Sequence, residues 1–435
     1  MSDLYKTERL EAYDWGKELR LKHLKGTGTA RDEGRFLAIG NMNFPKELLI
    51  GLGDFEYLAG EPWSVSINHE GGPELTAQCL EEVEKRGYSR DLCGYMRVYW
   101  GSMFLGRGAW GPFPTPDLVT FQADCDSRGK WYQKVSEHWG VPWYCVEGTH
   151  HSVDGTTKTK EHALQYLLDQ YTDFIEWLKV TFHKEYDYGK LLEGTANAFR
   201  SRAYWGEVVQ LQRAIPGPLD YKLLLPFYMA IEYYAYEDEC VAMMKALRDE
   251  VKYRVENQIA AVPNERFRVF HEGLAPWYAL YLFTYIRQRG VNILGGSHNY
   301  NFLLPVQKPT EDGSFAPEDP VNWDGVPKTW QEGIRFRAMH QLYVEKVISD
   351  TRLRTNVLRV SQQAWKAQGI IFMYDRGCEF FNIGQTEVKA ALQKEGVTTM
   401  VYETNRVDSA EWAWPQVQDA CDSFLESIGV PQMVS

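Results

Sequence analysis

Two cysteines in this chain sit where chemistry is commonly placed. Cys125 lies in VTFQADCDSRG and Cys378 in IIFMYDRGCEF, each in a polar stretch directly after a segment of strand character. In open α/β sheets, ligands bind beyond the carboxyl ends of the strands, where the strand order reverses. If the two units that carry these cysteines face each other, both thiols enter one cleft. Cys93, in RDLCGYMRVYWG, precedes a glycine in a loop-like segment and could supply a third thiolate. Three thiolates from distant parts of a chain suit an iron–sulfur cluster, with one iron left for another ligand. Substrate can bind such an iron, or an electron can leave through it. From the residues alone, three unrelated loop thiols fit equally well. Asp124 and Asp126 flank Cys125 and oppose its ionisation unless a metal or a base is near.

The other four cysteines read as buried thiols. Cys79, Cys240 and Cys421 fall inside predicted helices, and Cys145 falls inside a predicted strand. There is no CxxC pair, so local spacing predicts neither a zinc ribbon nor a ferredoxin-type cluster. His271, followed by Glu272, and His298 come after predicted strands. They are candidate acid/base groups, and each also reads as a hydrogen-bonded loop residue. His150 and His151 read as a surface loop.

The elements that must position these groups form two α/β units. A strand at 117–122, a helix at 127–139 closed by Gly140 and a strand at 141–146 make one strand–helix–strand unit, the mark of a parallel sheet. A strand at 266–270, a helix at 278–289 and a strand at 291–294 begin a second. It continues with strands at 369–374 and 397–402 and helices at 386–394 and 412–428. Between the units, 155–260 reads as mainly helical. Short apolar segments at 48–53 and 63–67 stand near the start, and residues 304–330, with five prolines, read as an irregular insertion. The expected class is α/β: two parallel-sheet α/β domains with a helical middle region and a helical N-terminal arm. The expected boundaries are 1–40 for the arm, 41–154 for the first domain, 155–262 for the helical segment and 263–435 for the second domain.

Composition narrows the function. The 435 residues carry a formal charge of −12, against non-specific binding to nucleic acid or an anionic membrane. No stretch approaches the length of a membrane span, and the charged N-terminus does not read as a signal peptide, so a cytoplasmic protein is expected. No GxxxxGK[ST], GxSxG or GxGxxG motif is present. The 15 Trp, 26 Tyr and 20 Phe point to large cores and interfaces, and hence to a subunit of an assembly.

An ordered set of segments resembles the benzoyl-CoA reductase/2-hydroxyacyl-CoA dehydratase family. The set is NFPKELLIGLG (43–53), with its "P-x-E-L" stretch, DLCGYMRVYWG (91–101), PDLVTFQADCDSRGKWYQKVSEHWGVPWY (116–144), GIIFMYDRGCEFF (369–381), VTTMVYETNR (397–406) and FLESIG (424–429). It covers roughly residues 40–430. The length, the aromatic-rich middle and HEGLAPWYALYLFTYIRQRGVNILGGSHNYNF look most like the larger, beta-type cluster-bearing subunit of the ATP-dependent class I benzoyl-CoA reductases.

The resemblance implies a [4Fe-4S] cluster held by Cys93, Cys125 and Cys378 between two α/β domains. It also implies a paralogous cluster-bearing subunit, ATP-hydrolysing activator subunits that use ATP and Mg themselves, and a ferredoxin as electron donor. The implied activity is single-electron, Birch-like reduction of the ring of benzoyl-CoA to a cyclic dienoyl-CoA in anaerobic aromatic degradation. The alternatives are an (R)-2-hydroxyacyl-CoA dehydratase subunit or a non-catalytic electron-relay subunit. Glu47, in the "P-x-E-L" match, is expected to stand close to substrate as a proton donor, with His271 and His298 as the other candidates. Glu47 also fits a helix N-terminus meeting the dipole.

Overall fold

The structure, a computed structural model, describes residues 3–148, 157–297, 307–309, 315–317 and 320–431. His150, His151 and His298 lie outside them. Two four-stranded parallel sheets organise the chain. The first contains β1 (Phe36–Gly40), β2 (Phe55–Ala59), β3 (Leu118–Ala123) and β4 (Trp143–Glu147), in the order β2-β1-β3-β4. The second contains β5 (Phe267–Glu272), β6 (Val291–Ile293), β7 (Gly369–Asp375) and β8 (Thr398–Thr404), in the order β8-β7-β5-β6.

Each sheet reverses its order once, between β1 and β3 in the first and between β5 and β7 in the second. A crevice opens beyond the carboxyl ends of the strands at such a point. The two reversals lie on either side of one cavity. Its wall includes Met42 and Asn43 after β1, Cys125 after β3, Leu274 after β5 and Cys378 after β7.

The helices that matter to the cavity are α1 (Ala12–Thr29), α2 (Gly60–His69), α3 (Gly72–Lys85), α4 (Gly94–Leu105) and α5 (Asp126–Trp139) in the first part of the chain. The middle is helical, as expected: α6 (Thr157–Phe182), α7 (Tyr188–Leu211), α8 (Tyr221–Tyr234) and α9 (Asp238–Glu256). The rest of the chain adds α10 (Tyr281–Arg287), α11 (Trp330–Ser349), which packs on α6 and α7, α12 (Thr351–Ala364), the single turn α13 (Glu379–Asn382), α14 (Gln385–Lys394) and α15 (Trp414–Ser427). No helix among the described residues is long and apolar enough to cross a membrane.

Two local readings differ from the structure. The segment at 36–40 was expected within the arm, but it is the second strand of the first sheet, paired on both edges. Four of its five residues are buried, and a strand covered on both faces shows no alternation of apolar and polar residues. The apolar stretch at 63–67 is part of α2, which is buried over most of its length and so lacks a polar face.

α1 is anchored through His23. Its ring stacks on Tyr234 at 3.8 Å between centroids and sits between the carboxylates of Glu56 and Glu237, each 3.1 Å away. Burial by itself lowers the imidazole pKa. The two carboxylates outweigh it and raise the value from 6.5 to about 9. Below pH 6.5 the ring is charged in folded and unfolded chains alike, and the stabilisation is complete; it is lost as pH rises through about 9. The difference corresponds to about 3 kcal/mol. Denaturant melts should therefore show stability falling over that interval, and His23→Phe should remove most of the slope. Parallel slopes in the two proteins would contradict this role for His23.

Candidate functional site

Each of the three cysteines singled out above occupies the residue just before a helix. Cys93 precedes α4, Cys125 precedes α5 and Cys378 precedes α13. In each case the backbone N–H of the third residue on, from Met96, Arg128 or Phe381, favours the thiolate. All three thiols line the same cavity. None of the three is in a disulfide.

Two close backbone approaches bring them together. Gly377 has φ +77°, and a Cβ there would lie 2.7 Å from the carbonyl oxygen of Leu92 and 2.9 Å from that of Asp91. The turn bearing Cys378 therefore packs on the chain just before Cys93, and only glycine fits. Gly94 makes the reciprocal approach: a Cβ on it would stand 2.3 Å from Oδ1 of Asn405. Asn405 closes the loop after β8 by donating to the carbonyl of Arg376 (3.0 Å) and accepting from the N–H of Val407 and Asp408 (3.1 Å each).

The electrostatics are set by buried arginines. Arg128 lines the cavity and binds Asp124 through Nη1 (2.5 Å) and Glu61 through Nη2 (2.8 Å). This answers the question Asp124 raised in the sequence, because its charge is matched by Arg128 four residues on. Arg406 also lines the cavity. It bonds to Asp375 and lies over the ring of Tyr95 at 4.7 Å. Burial raises all three thiols, that of Cys93 to about 12, while Arg406 opposes the rise at Cys93 and Cys378 and Arg128 opposes it at Cys125. Without a metal these groups hold their protons, and a bound cationic iron would displace them.

The donor set fits an iron–sulfur cluster. It offers soft sulfur ligands, helix N-termini behind each thiol and flanking guanidinium groups that offset thiolate charge. Among the described residues, no three His, Cys, Asp or Glu groups close on a point that would hold a single metal ion. A cluster of several irons is larger than one ion and takes its thiolates from wider apart. The rest of the wall is largely aromatic: Tyr95, Trp131, Tyr228, Phe380 and Phe381. Such a wall excludes water and strengthens the electrostatics inside.

The acid/base candidates stand elsewhere. Glu47 is buried beneath α11, paired with Arg337 at 3.1 Å and Arg202 at 3.8 Å, and does not line the cysteine cavity. Burial would raise its carboxyl, but Arg337, Arg202 and Lys46 outweigh that and hold it below its ordinary value. His271 is buried inside the second sheet with Nε2 2.7 Å from the hydroxyl of Tyr402, and it too is outside the cavity wall. Cys79, Cys240 and Cys421 are buried in helices. Cys145 is half-buried in β4.

The sequence reading missed Glu61, Arg128 and Arg406. The spacing Asp124-x-x-x-Arg128 was the one local signal. It also missed the role of Glu272. That carboxylate accepts from the N–H (2.9 Å) and hydroxyl (2.7 Å) of Ser297 and from Nε (3.1 Å) and Nη2 (3.0 Å) of Arg354. Arg354 in turn donates Nη1 to the carbonyl of Phe381 (3.0 Å), tying the end of β5 to the turn that carries Cys378.

Comparison with known proteins adds the following. The family model described as 2-hydroxyglutaryl-CoA dehydratase, D-component, matches residues 42–428. The chain is 24% identical over 425 residues to the (R)-2-hydroxyisocaproyl-CoA dehydratase alpha subunit of Clostridioides difficile, covering 97% of each protein. It is 26% identical to the lactoyl-CoA dehydratase alpha subunit of Anaerotignum propionicum, over 80% of this chain and 81% of that protein. With a benzoyl-CoA reductase subunit of Thauera aromatica it shares 20% identity, over 80% of this chain and 79% of that one.

The tether at Arg354 makes a prediction. Arg354→Met leaves the carboxylate of Glu272 buried without its guanidinium, and should cost about 3–5 kcal/mol in denaturant melts. Arg359→Ala, on the same helix, removes only a surface pair with Glu395 (3.5 Å) and should cost under about 1 kcal/mol. Equal losses in the two variants would contradict the tether.

Proposed function

The chain belongs to the 2-hydroxyglutaryl-CoA dehydratase D-component family, and on that premise we propose that Cys93, Cys125 and Cys378 hold a [4Fe-4S] cluster that serves the reduction of a CoA thioester. The observation that carries this is the convergence of these three thiols, from three separate helix starts, on one cavity. When bound, the cluster supplies single electrons at low potential.

The finer reading is that the acyl group is aromatic, and that this chain is one component of an ATP-dependent benzoyl-CoA reductase forming a cyclic dienoyl-CoA. The wall of Tyr95, Trp131, Tyr228, Phe380 and Phe381 supports it, because flat apolar rings receive a planar aryl group and keep out water that would compete for electrons. The thioester assists, since its carbonyl shares the charge of the added electron. Arg128 and Arg406 offer positive charge at the same wall, held rigidly by Asp124, Glu61 and Asp375, so little reorganisation is needed as negative charge builds up. Electrons would reach this chain from a ferredoxin through ATP-hydrolysing activator subunits, and a paralogous cluster-bearing subunit would complete the assembly.

A second reading is an (R)-2-hydroxyacyl-CoA dehydratase subunit. The likeness to the alpha subunits named above, one of them along nearly the full length of both chains, favours it. It would use the same cavity and the same thioester, but its electron would be returned in each cycle.

Electron counting separates the two. The complex purified without oxygen is given ATP, reduced ferredoxin and either benzoyl-CoA or an (R)-2-hydroxyacyl-CoA. The aryl reading predicts one pair of electrons consumed for each cyclic dienoyl-CoA formed. Many enoyl-CoA products per electron would overturn it in favour of dehydration, and no conversion of either thioester would overturn both.

A further inference from the structure

Few groups in the wall of the cysteine cavity can donate a hydrogen bond to a ligand, and most of them are already engaged. Arg128 is held by Asp124 and Glu61, and Arg406 by Asp375. Asn43 donates Nδ2 to Asp124 (2.5 Å), and Ser127 donates its hydroxyl to Asp126 (3.4 Å). Tyr95 differs. It stands in the same wall as the three thiols and is only 3% exposed. Trp277 donates Nε1 to the Tyr95 hydroxyl (2.5 Å). An indole N–H can only donate, so the phenol oxygen accepts here and its own O–H points elsewhere. No group among the described residues takes that proton. A buried donor without an acceptor is destabilising, and a native site that keeps one has water or a ligand for it.

We infer that the Tyr95 hydroxyl donates this hydrogen bond to the carbonyl oxygen of the acyl thioester that the cavity receives. This rests on the benzoyl-CoA reading given above.

The hydroxyl is fixed from both α/β units. Tyr95 lies in the first turn of α4, and its carbonyl accepts from the hydroxyl of Ser64 on α2 (2.7 Å). Trp277 begins the short 3-10 segment Trp277–Ala279 after β5, and its backbone N–H donates to the carbonyl of Arg406 (2.9 Å). With its oxygen held, the phenol only has to turn its O–H about the C–O bond to meet an acceptor. The guanidinium of Arg406 lies over the Tyr95 ring at 4.7 Å and draws on its electron density, which makes the O–H a better donor. A donor placed in advance needs no reorganisation when the ligand arrives, and an aromatic wall that excludes water strengthens the bond.

Trp131 is the competing candidate, because its Nε1 is buried without a partner and its ring also lines the wall. The edge of that indole is turned toward Gly60, which lies outside the wall. A Cβ at Gly60 would stand 2.5 Å from Cζ2, which shares a ring carbon with Nε1. Tyr95 is therefore the wall donor whose position suits a ligand.

The test uses the complex purified without oxygen and kept free of ATP and reductant, so that no ligand is turned over. Calorimetry compares benzoyl-CoA with S-benzyl-CoA, a thioether that has a methylene in place of the carbonyl. Tyr95→Phe should weaken benzoyl-CoA about tenfold and S-benzyl-CoA less than about twofold. With benzoyl-CoA carrying a 13C carbonyl, the infrared band of the bound C=O should lie at higher frequency in Tyr95→Phe than in the wild type. A purely structural role for Tyr95 would weaken both ligands together and leave the band in place. Tyr95→Phe strands the indole N–H of Trp277; if that variant fails to fold, Tyr95→Phe/Trp277→Phe strands none and should show the same selective loss. Equal losses for the two ligands, or no loss for benzoyl-CoA, overturn the inference. So does a carbonyl-selective loss in Trp131→Phe with none in Tyr95→Phe. A wild-type complex that binds no benzoyl-CoA overturns the benzoyl-CoA reading and this inference together.

Discussion

The whole site depends on one tight backbone contact. The turn before Cys378 lies against the carbonyls of Asp91 and Leu92, at a distance that admits no side chain on Gly377. That contact joins the end of β7 in the second sheet to the start of α4, which packs with the first. Gly94 against Asn405 makes the same junction from the other side. Each sheet would open a crevice at its own point of reversal in any case. The two glycines join the two crevices into one cavity, lined by Cys93, Cys125 and Cys378. Aromatic bulk then fills the wall, and the water that would otherwise screen the site is kept out.

Enclosure raises a second problem, which is charge. Buried arginines stand around the cysteine cavity and around Glu47, and carboxylates match them. Arg128 has Asp124 and Glu61, Arg406 has Asp375, Arg354 has Glu272 and Arg337 has Glu47. Removing one partner of such a pair strands the other in a medium that solvates it poorly. Arginine suits these positions because its planar fork holds two oxygens at once and stays charged when buried. The result is a set of fixed dipoles around the thiols that need not reorganise when charge moves. Lys46 and Glu232 stand apart from this pattern. Burial acts on both to disfavour the charged forms.

Much of this was legible in the sequence, because the strand–helix–strand pattern places loops. Cys125 and Cys378 could be picked out as residues following strands, and Cys79, Cys240 and Cys421 set aside as helical, before any coordinates. Cys93 was harder: it follows no strand and reaches the cavity by capping α4. β1 and α2 were misread because both are buried almost all round, which erases the periodicity that tells helix from strand. The buried charges gave almost no signal beyond the four-residue spacing of Asp124 and Arg128. Arg128, Arg406 and Glu232 look like ordinary polar residues of helix and loop, and only the folded chain shows that they face inward. Glu47 was read from its place in a short motif as a donor to substrate; the folded chain sets it between the guanidinium groups of Arg337 and Arg202.

The central claim is that Cys93, Cys125 and Cys378 jointly hold one cluster. The most direct measurement is iron and sulfide content, with EPR, of the complex purified without oxygen, for the wild type and for Cys93→Ser, Cys125→Ser, Cys378→Ser and Cys145→Ser. The account predicts that about four irons per copy of this chain are lost or become labile in each of the first three. It predicts that Cys145→Ser, half-buried in β4 and outside the cavity wall, keeps them. Unchanged iron in the first three, or equal loss in all four, would contradict it.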